Sequence, residues 1–131
     1  MDLKAEYSSI LKFVFPAEIV DNFDIIDIKE IVIGKEKVLH VYFEEKNLPP
    51  TEQQDKQLKP NGFYDASEIK DFPLRDRKVV LHIKRRRWID NEGKSYSRQW
   101  DFTAEGTKYS KEFAFFFKKC FGYLPDSSPI S

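Results

Sequence analysis

The chain has 131 residues, 22 basic and 22 acidic side chains, a formal net charge of zero, and 15% aromatic residues including twelve Phe. That length supports one packed core and leaves no room for a second large domain, while the neutral balance excludes a chain that is cationic throughout. A single cysteine, Cys120, excludes an internal disulfide, and with His40 and His82 it cannot build a Cys-rich zinc site, so no metal and no other cofactor is expected. Apolar runs reach nowhere near the roughly eighteen residues of a membrane span, and the opening MDLKAEYSSI has neither the basic region nor the cleavage site of a secretion signal. A cytoplasmic location is the expectation.

The neutrality is local in neither half. Residues 1–60 carry 8 basic and 12 acidic side chains, net −4, and residues 61–131 carry 14 and 10, net +4. Such a dipolar chain steers an anionic partner to one side, or lets its own halves attract each other.

Leu3, Tyr7, Ile10, Leu11 and Val14 fall at helical spacing and predict an amphipathic helix over 3–14 that Pro16 ends. A short helix follows at 17–23. DIIDIKEIVIGKEKVLHVYFEE then reads as two strands joined at Gly34-Lys35, where Gly supplies the positive φ of a hairpin turn. With Ile33 facing Glu36, the residues Ile26, Ile28 and Val32 share a face with Leu39, Val41 and Phe43, and that face is expected to be core. Glu44 and Glu45 point to opposite faces and cannot act jointly.

NLPPTEQQDKQLKPNGFY, residues 47–64, is broken by Pro49, Pro50, Pro60 and Gly62 and reads as a long loop with a helical turn at 51–57. Residues 66–72 suggest a short edge strand, which Pro73 spoils as a ladder donor. An exposed edge strand, wherever it falls, would allow two chains to pair as a homodimer.

Arg75 to Trp88, RDRKVVLHIKRRRW, packs seven basic residues against one acid. Val79, Leu81 and Ile83 alternate with Val80, His82 and Lys84, the period of a strand. A hairpin of 78–89 with 94–103 around Asp90-Asn91-Glu92-Gly93 sets Leu81 opposite Phe102, Ile83 opposite Trp100, Arg85 opposite Arg98 and Arg87 opposite Tyr96. Its other face carries Val80, His82, Lys84, Arg86 and Trp88 beside Ser95, Ser97, Gln99, Asp101 and Thr103, a polar and basic surface suited to phosphate and sugar contacts. His82 acquires Asp101 as a neighbour, read first as a plain surface hydrogen bond and second as a pairing that raises its pKa. The plain alternative for such a run is a strand kept soluble by its charges.

Ser110 is a good N-cap for a last helix, with Glu112 in its first turn, Lys118 and Lys119 near its end and Gly122 as its stop. Tyr109, Phe113, Phe116, Phe117, Cys120 and Phe121 form a stripe expected to be core, with Cys120 an inert buried thiol. The expected architecture is a single α+β domain over 1–124, a mostly antiparallel sheet from two hairpins with an N-terminal helix and a C-terminal aromatic-rich helix. Residues 125–131 are expected to be a disordered tail. No phosphate-cradling loop, nucleophile elbow or histidine pair at metal spacing is present, and catalysis by the chain alone is not expected.

EEKNLPP at 44–50, DFPLRDRKVVLHIKRRRW at 71–88 and EGTKYSKEFAFF at 105–116 together resemble the amino-terminal region of bacterial insertion-sequence transposases of the ISAon type. The likeness covers nearly the whole chain. A broader transposase group is similar through Asp71, Phe72, Pro73 and Leu74 followed by 79–88, but its two upstream Cys-x-x-Cys pairs have no counterpart in the Cys-free loop 47–64, so zinc is not implied. The helix-turn-helix and acidic catalytic domain of that group lie beyond the matched region. The resemblance implies a DNA-binding or accessory role in transposition, with a partner supplying strand cleavage and joining. Arg75, Arg77, Lys78, Lys84, Arg85, Arg86, Arg87 and Arg98 are the expected phosphate contacts on double-stranded insertion-sequence ends, with Trp88 at the groove or packed beneath the arginines. The competing class is a protein-interaction module that docks on a separately encoded transposase catalytic subunit without touching DNA.

Overall fold

The structure, a computed structural model, describes residues 9–50, 57–104 and 107–122. Of the helix expected over 3–14 only the end is described: residues 9–11 are helical, and Leu11 and Val14 reach the core. Helix α1 (Ala17–Asn22) follows Pro16 and buries Ile19 and Val20. The chain then enters β1 (Phe23–Ile33) and β2 (Glu36–Glu45), an antiparallel pair in the expected register of Ile33 opposite Glu36, with Gly34 at φ 63° in the turn.

The rest of the strand order departs from the two-hairpin reading. β3 (Lys59–Phe63) and β4 (Ser67–Leu74) precede β5 (Arg77–Lys84), β6 (Arg86–Ile89) and the two-residue β7 (Ser95–Tyr96). One sheet has the order β1-β2-β5-β4 and the other β3-β6-β7. β5 runs parallel to β2, with Val41 beside Leu81 and Phe43 beside Ile83, and antiparallel to β4, with Ile69 opposite Leu81.

The basic strand therefore pairs with the segment before it, not with 94–103. Ser67 opposite Ile83, Phe63 opposite Arg86 and Lys59 opposite Ile89 continue one antiparallel ribbon that bends at Arg85 from the first sheet into the second. Part of the expected loop 47–64 is thus strand β3. Pro60 and Gly62 hid it, yet β3 is an edge strand that tolerates a missing N–H, and Gly62 at φ 72° sits where the register shifts. The helical turn expected at 51–57 falls almost entirely outside the described residues. The 78–89/94–103 hairpin survives as two pairs, Trp88 opposite Tyr96 and Ile89 opposite Ser95, one residue away from the expected register.

The core consists of Phe15, Ile19, Val20, Phe23, Val41, Phe43, Ile69, Val79, Leu81 and Ile83. Trp100 and Phe102 reach it from an irregular segment and meet Phe23 edge-on at centroid distances of 5.3 and 5.6 Å. Ile26, Ile28 and Val32, expected in the core, are exposed: Ile26 is the unpaired residue of a bulge that sets Ile25 opposite Phe43, and Ile28 and Val32 lie on the outer part of β1 beyond the core cluster.

Residues 108–110 lie alongside β4 in parallel, with Lys70 N–H donating to the Lys108 carbonyl and Ser110 N–H to the Lys70 carbonyl. That contact launches α2 (Lys111–Phe121), capped by Ser110 Oγ accepting from Phe113 N–H and closed by Gly122 at φ 80°. The stripe expected to be core is largely surface. Ala114 is the buried position of α2, while Phe116, Phe121 and Cys120 are exposed, so Cys120 is not a core thiol. One flank does pack: Phe72 contacts Phe113 and Phe116 at 5.0 and 5.5 Å. The α+β class stands. The tail 125–131 lies outside the described residues.

Leu81 is fully buried at the centre of this arrangement. Leu81→Ala is expected to lower unfolding free energy by about 2–5 kcal/mol in denaturant titration, since lost contacts and a residual cavity add.

Candidate nucleic-acid interface

The bend at Arg85 divides the basic residues into two groups with different surroundings. Those at the start of β5 lie where the parallel register brings the acidic front half alongside. Arg77 is ion-paired with Glu30, and its Nη1 lies 3.3 Å from Asp76. Lys78 is paired with Glu36, and Asp76 itself is held by Lys37 at 2.9 Å, which pulls its pKa down. Arg75 is exposed in the turn before β5 with a positive φ of 60°.

Past the bend the environment changes. Arg85 and Arg87 both lie over the ring of Tyr64, their guanidinium carbons 5.3 and 5.6 Å from its centroid. The Arg87 Nε donates to the Asn61 carbonyl at 3.1 Å, and neither arginine has a carboxylate partner among the described residues. Lys84, the residue before Arg85, is exposed. Stacking on an aromatic face holds a guanidinium in place without consuming its charge. Tyr64 was not singled out from sequence, because its position follows from a strand that the prolines concealed.

Arg86 points the other way. Its backbone N–H donates to Glu45 Oε1 at 3.0 Å, and its Nε and Nη2 donate to the Glu45 carbonyl at 3.3 and 3.2 Å. Its guanidinium also covers Phe63 at 4.7 Å and Trp88 at 5.9 Å. Trp88 is buried, so of its two expected placements the structure shows the one beneath an arginine. Arg98 lies 4.4 Å over Trp100, with Nη2 3.4 Å from Asn22 Oδ1. Arg98 lies outside the β6/β7 ladder, so the expected cross-strand pair with Arg85 is not formed.

Glu45 is the hub of this junction. Buried at 1% exposure, it accepts from Arg86 N–H and from Trp100 Nε1 at 3.1 Å, while its Oε2 has no partner. Burial raises its pKa against the opposing pull of the Arg86 N–H, Trp100 and the two guanidiniums of Arg98 and Arg86. Asp71 is also buried and raised by desolvation, with Ser110 Oγ donating to it at 2.8 Å.

His82 does not meet Asp101, which pairs with Lys111. On the outer face of the sheet its Nε2 lies 2.8 Å from His40 Nδ1, its ring stacks on Tyr42 at 4.4 Å, and Glu68 stands 3.9 Å away. Burial lowers its pKa, with His40 adding to that and Glu68 opposing it; the raised value expected beside an acid is not found. Among the described residues no three His, Cys, Asp or Glu side chains gather to hold a metal ion, and no helix is long and apolar enough to cross a membrane.

No known protein family, no curated protein and no solved structure matches this chain.

A carboxyl group with a raised pKa keeps its proton in the folded chain at pH values where the unfolded chain has lost it. The proton then favours folding, and that contribution disappears as pH climbs above the ordinary Glu value of 4.5. His82 acts in the opposite direction, costing stability as pH falls below 6.5. Glu45→Gln is expected to flatten the decline of unfolding free energy on the alkaline side of pH 4.5, measured by denaturant titration across pH, with the His82 limb unchanged.

Proposed function

We propose that this chain is a noncatalytic, amino-terminal accessory region of an insertion-sequence transposase that binds double-stranded DNA at the ends of the element. The contact surface is narrower than the full basic run. Arg85 and Arg87 over Tyr64 make the centre of the phosphate-binding site, the exposed Lys84 next in sequence adds a third contact, and Arg75 stands apart at the other end of β5. Arg77 and Lys78 are occupied by front-half carboxylates, while Arg86 and Arg98 are engaged in the core junction.

The observation that carries this reading is the pair of guanidiniums on one tyrosine ring, neither with a carboxylate partner among the described residues. A stacked arginine is held ready for a phosphate oxygen and presents a planar fork to it. Such contacts position a duplex without reading its bases.

The docking alternative has its own support. The internal ion pairs reduce the charge left for DNA, and α2 exposes Phe115, Phe116 and Phe121, a surface suited to a protein partner such as a separately encoded catalytic subunit.

With about three phosphates contacted, log K for random duplex is expected to fall against log salt with a slope of roughly −3 in fluorescence anisotropy. Arg87→Glu with Lys84→Glu should weaken binding about equally on all sequences and make that slope shallower. A flat salt response, or binding seen solely when the catalytic partner is added, would overturn the DNA reading and leave the docking one.

A further inference from the structure

We propose that β1 is the surface through which two copies of this chain pair, antiparallel, about a two-fold axis beside Ile28. β1 hydrogen-bonds to β2 on one side and forms the edge of its sheet on the other. Along that edge Ile26, Ile28, Ile31, Val32 and Ile33 are between 43% and 76% exposed. An eleven-residue edge strand bearing this much β-branched surface is a template for another strand. The proposal does not rest on the proposed phosphate contact, whose two stacked arginines lie at and beyond the bend that leaves this sheet.

Charge selects the occupant and its register. In an antiparallel pair, residues directly opposite share a face, so a two-fold axis must pass beside a residue that meets its own copy. An axis at Lys29 sets two ammonium groups opposite each other, and one at Glu30 sets two carboxylates. An axis at Ile31 puts Lys29 against Ile33 and Glu30 against Val32. The axis at Ile28 sets Ile28 against Ile28 and places Asp27 of each copy opposite Lys29 of the other, two attractive pairs at once that outweigh Ile26 facing Glu30 further out. Asp27 and Lys29 do lie on one face, their partners in β2 being Tyr42 and His40.

The open edge already shows how it is kept from indiscriminate pairing. The Ile28 N–H, at the centre of the proposed contact, is taken up by Asp27 Oδ1 at 2.8 Å, and Lys29 lies 3.8 Å from the same carboxylate. Asp27 thus shields a donor that no strand among the described residues claims. In the pair, Lys29 of the second copy draws that carboxylate aside and releases the N–H to the opposing backbone.

Sedimentation velocity over a concentration series tests this, with circular dichroism to verify folding. Wild type is expected to show a monomer–dimer equilibrium. Lys29→Asp should weaken it about ten-fold by replacing two attractive pairs with two repulsive ones, and adding Asp27→Lys to that variant should restore it. Ile28→Lys, which brings two ammonium groups together at the axis, should leave a folded monomer. A wild-type monomer at every concentration, a dimer indifferent to Lys29→Asp, or a double variant that stays dissociated would each overturn the proposal.

Discussion

The parallel pairing of β2 with β5, running from Val38 beside Lys78 to Glu44 beside Lys84, is the constraint on which the remainder of this structure depends. It makes β5 an interior strand with β4 on its other side, and it places Val41, Phe43, Leu81 and Ile83 in adjacent rows of one core face. A parallel pair needs a long crossover, and here the chain between the two strands supplies β3 and β4 on its way. The same pairing carries an electrostatic consequence. It brings the net-negative front half against the net-positive run, so Glu30 and Glu36 meet Arg77 and Lys78 within one molecule.

The second organising feature is the junction at Glu45, where β2 ends and the ribbon bends away. A buried carboxyl with one oxygen unpartnered costs free energy, and its raised pKa is the sign of that cost. What it secures is geometric. By binding the Arg86 N–H and Trp100 Nε1, it fixes the first residues of β6 and the irregular segment that carries Trp100 and Phe102 into the core. With Arg86 committed to that side, the alternation of the strand sends Arg85 and Arg87 together to the other, over Tyr64. The cationic pair thus follows from the internal junction.

Among the described residues, the far half of β1 and the outer face of α2 are apolar surfaces left outside the core. Both carry residues whose periodicity is that of a buried face. A single-chain core of this size covers only the near end of the β1/β2 ribbon and one flank of α2, and the surplus is the kind of patch that partners use.

Local signals in the sequence determined what local physics controls. Gly34 and the alternation around it fixed the first hairpin and its register as far as Asp27, where a bulge shifts it by one, Ser110 and Gly122 fixed the ends of α2, and the alternating Val79, Leu81 and Ile83 marked β5 as a strand with one buried face. Which strand lies beside which was decided only by tertiary structure. The choice between pairing 78–89 with 94–103 or with 59–74 turns on β2 occupying the other side of β5, a contact between residues some forty apart that leaves no periodic trace. The fate of each charge was equally nonlocal. A run of seven basic residues reads the same whether its neighbours are water, a tyrosine ring or a carboxylate, because Coulomb and stacking partners are set by distance in space rather than along the chain.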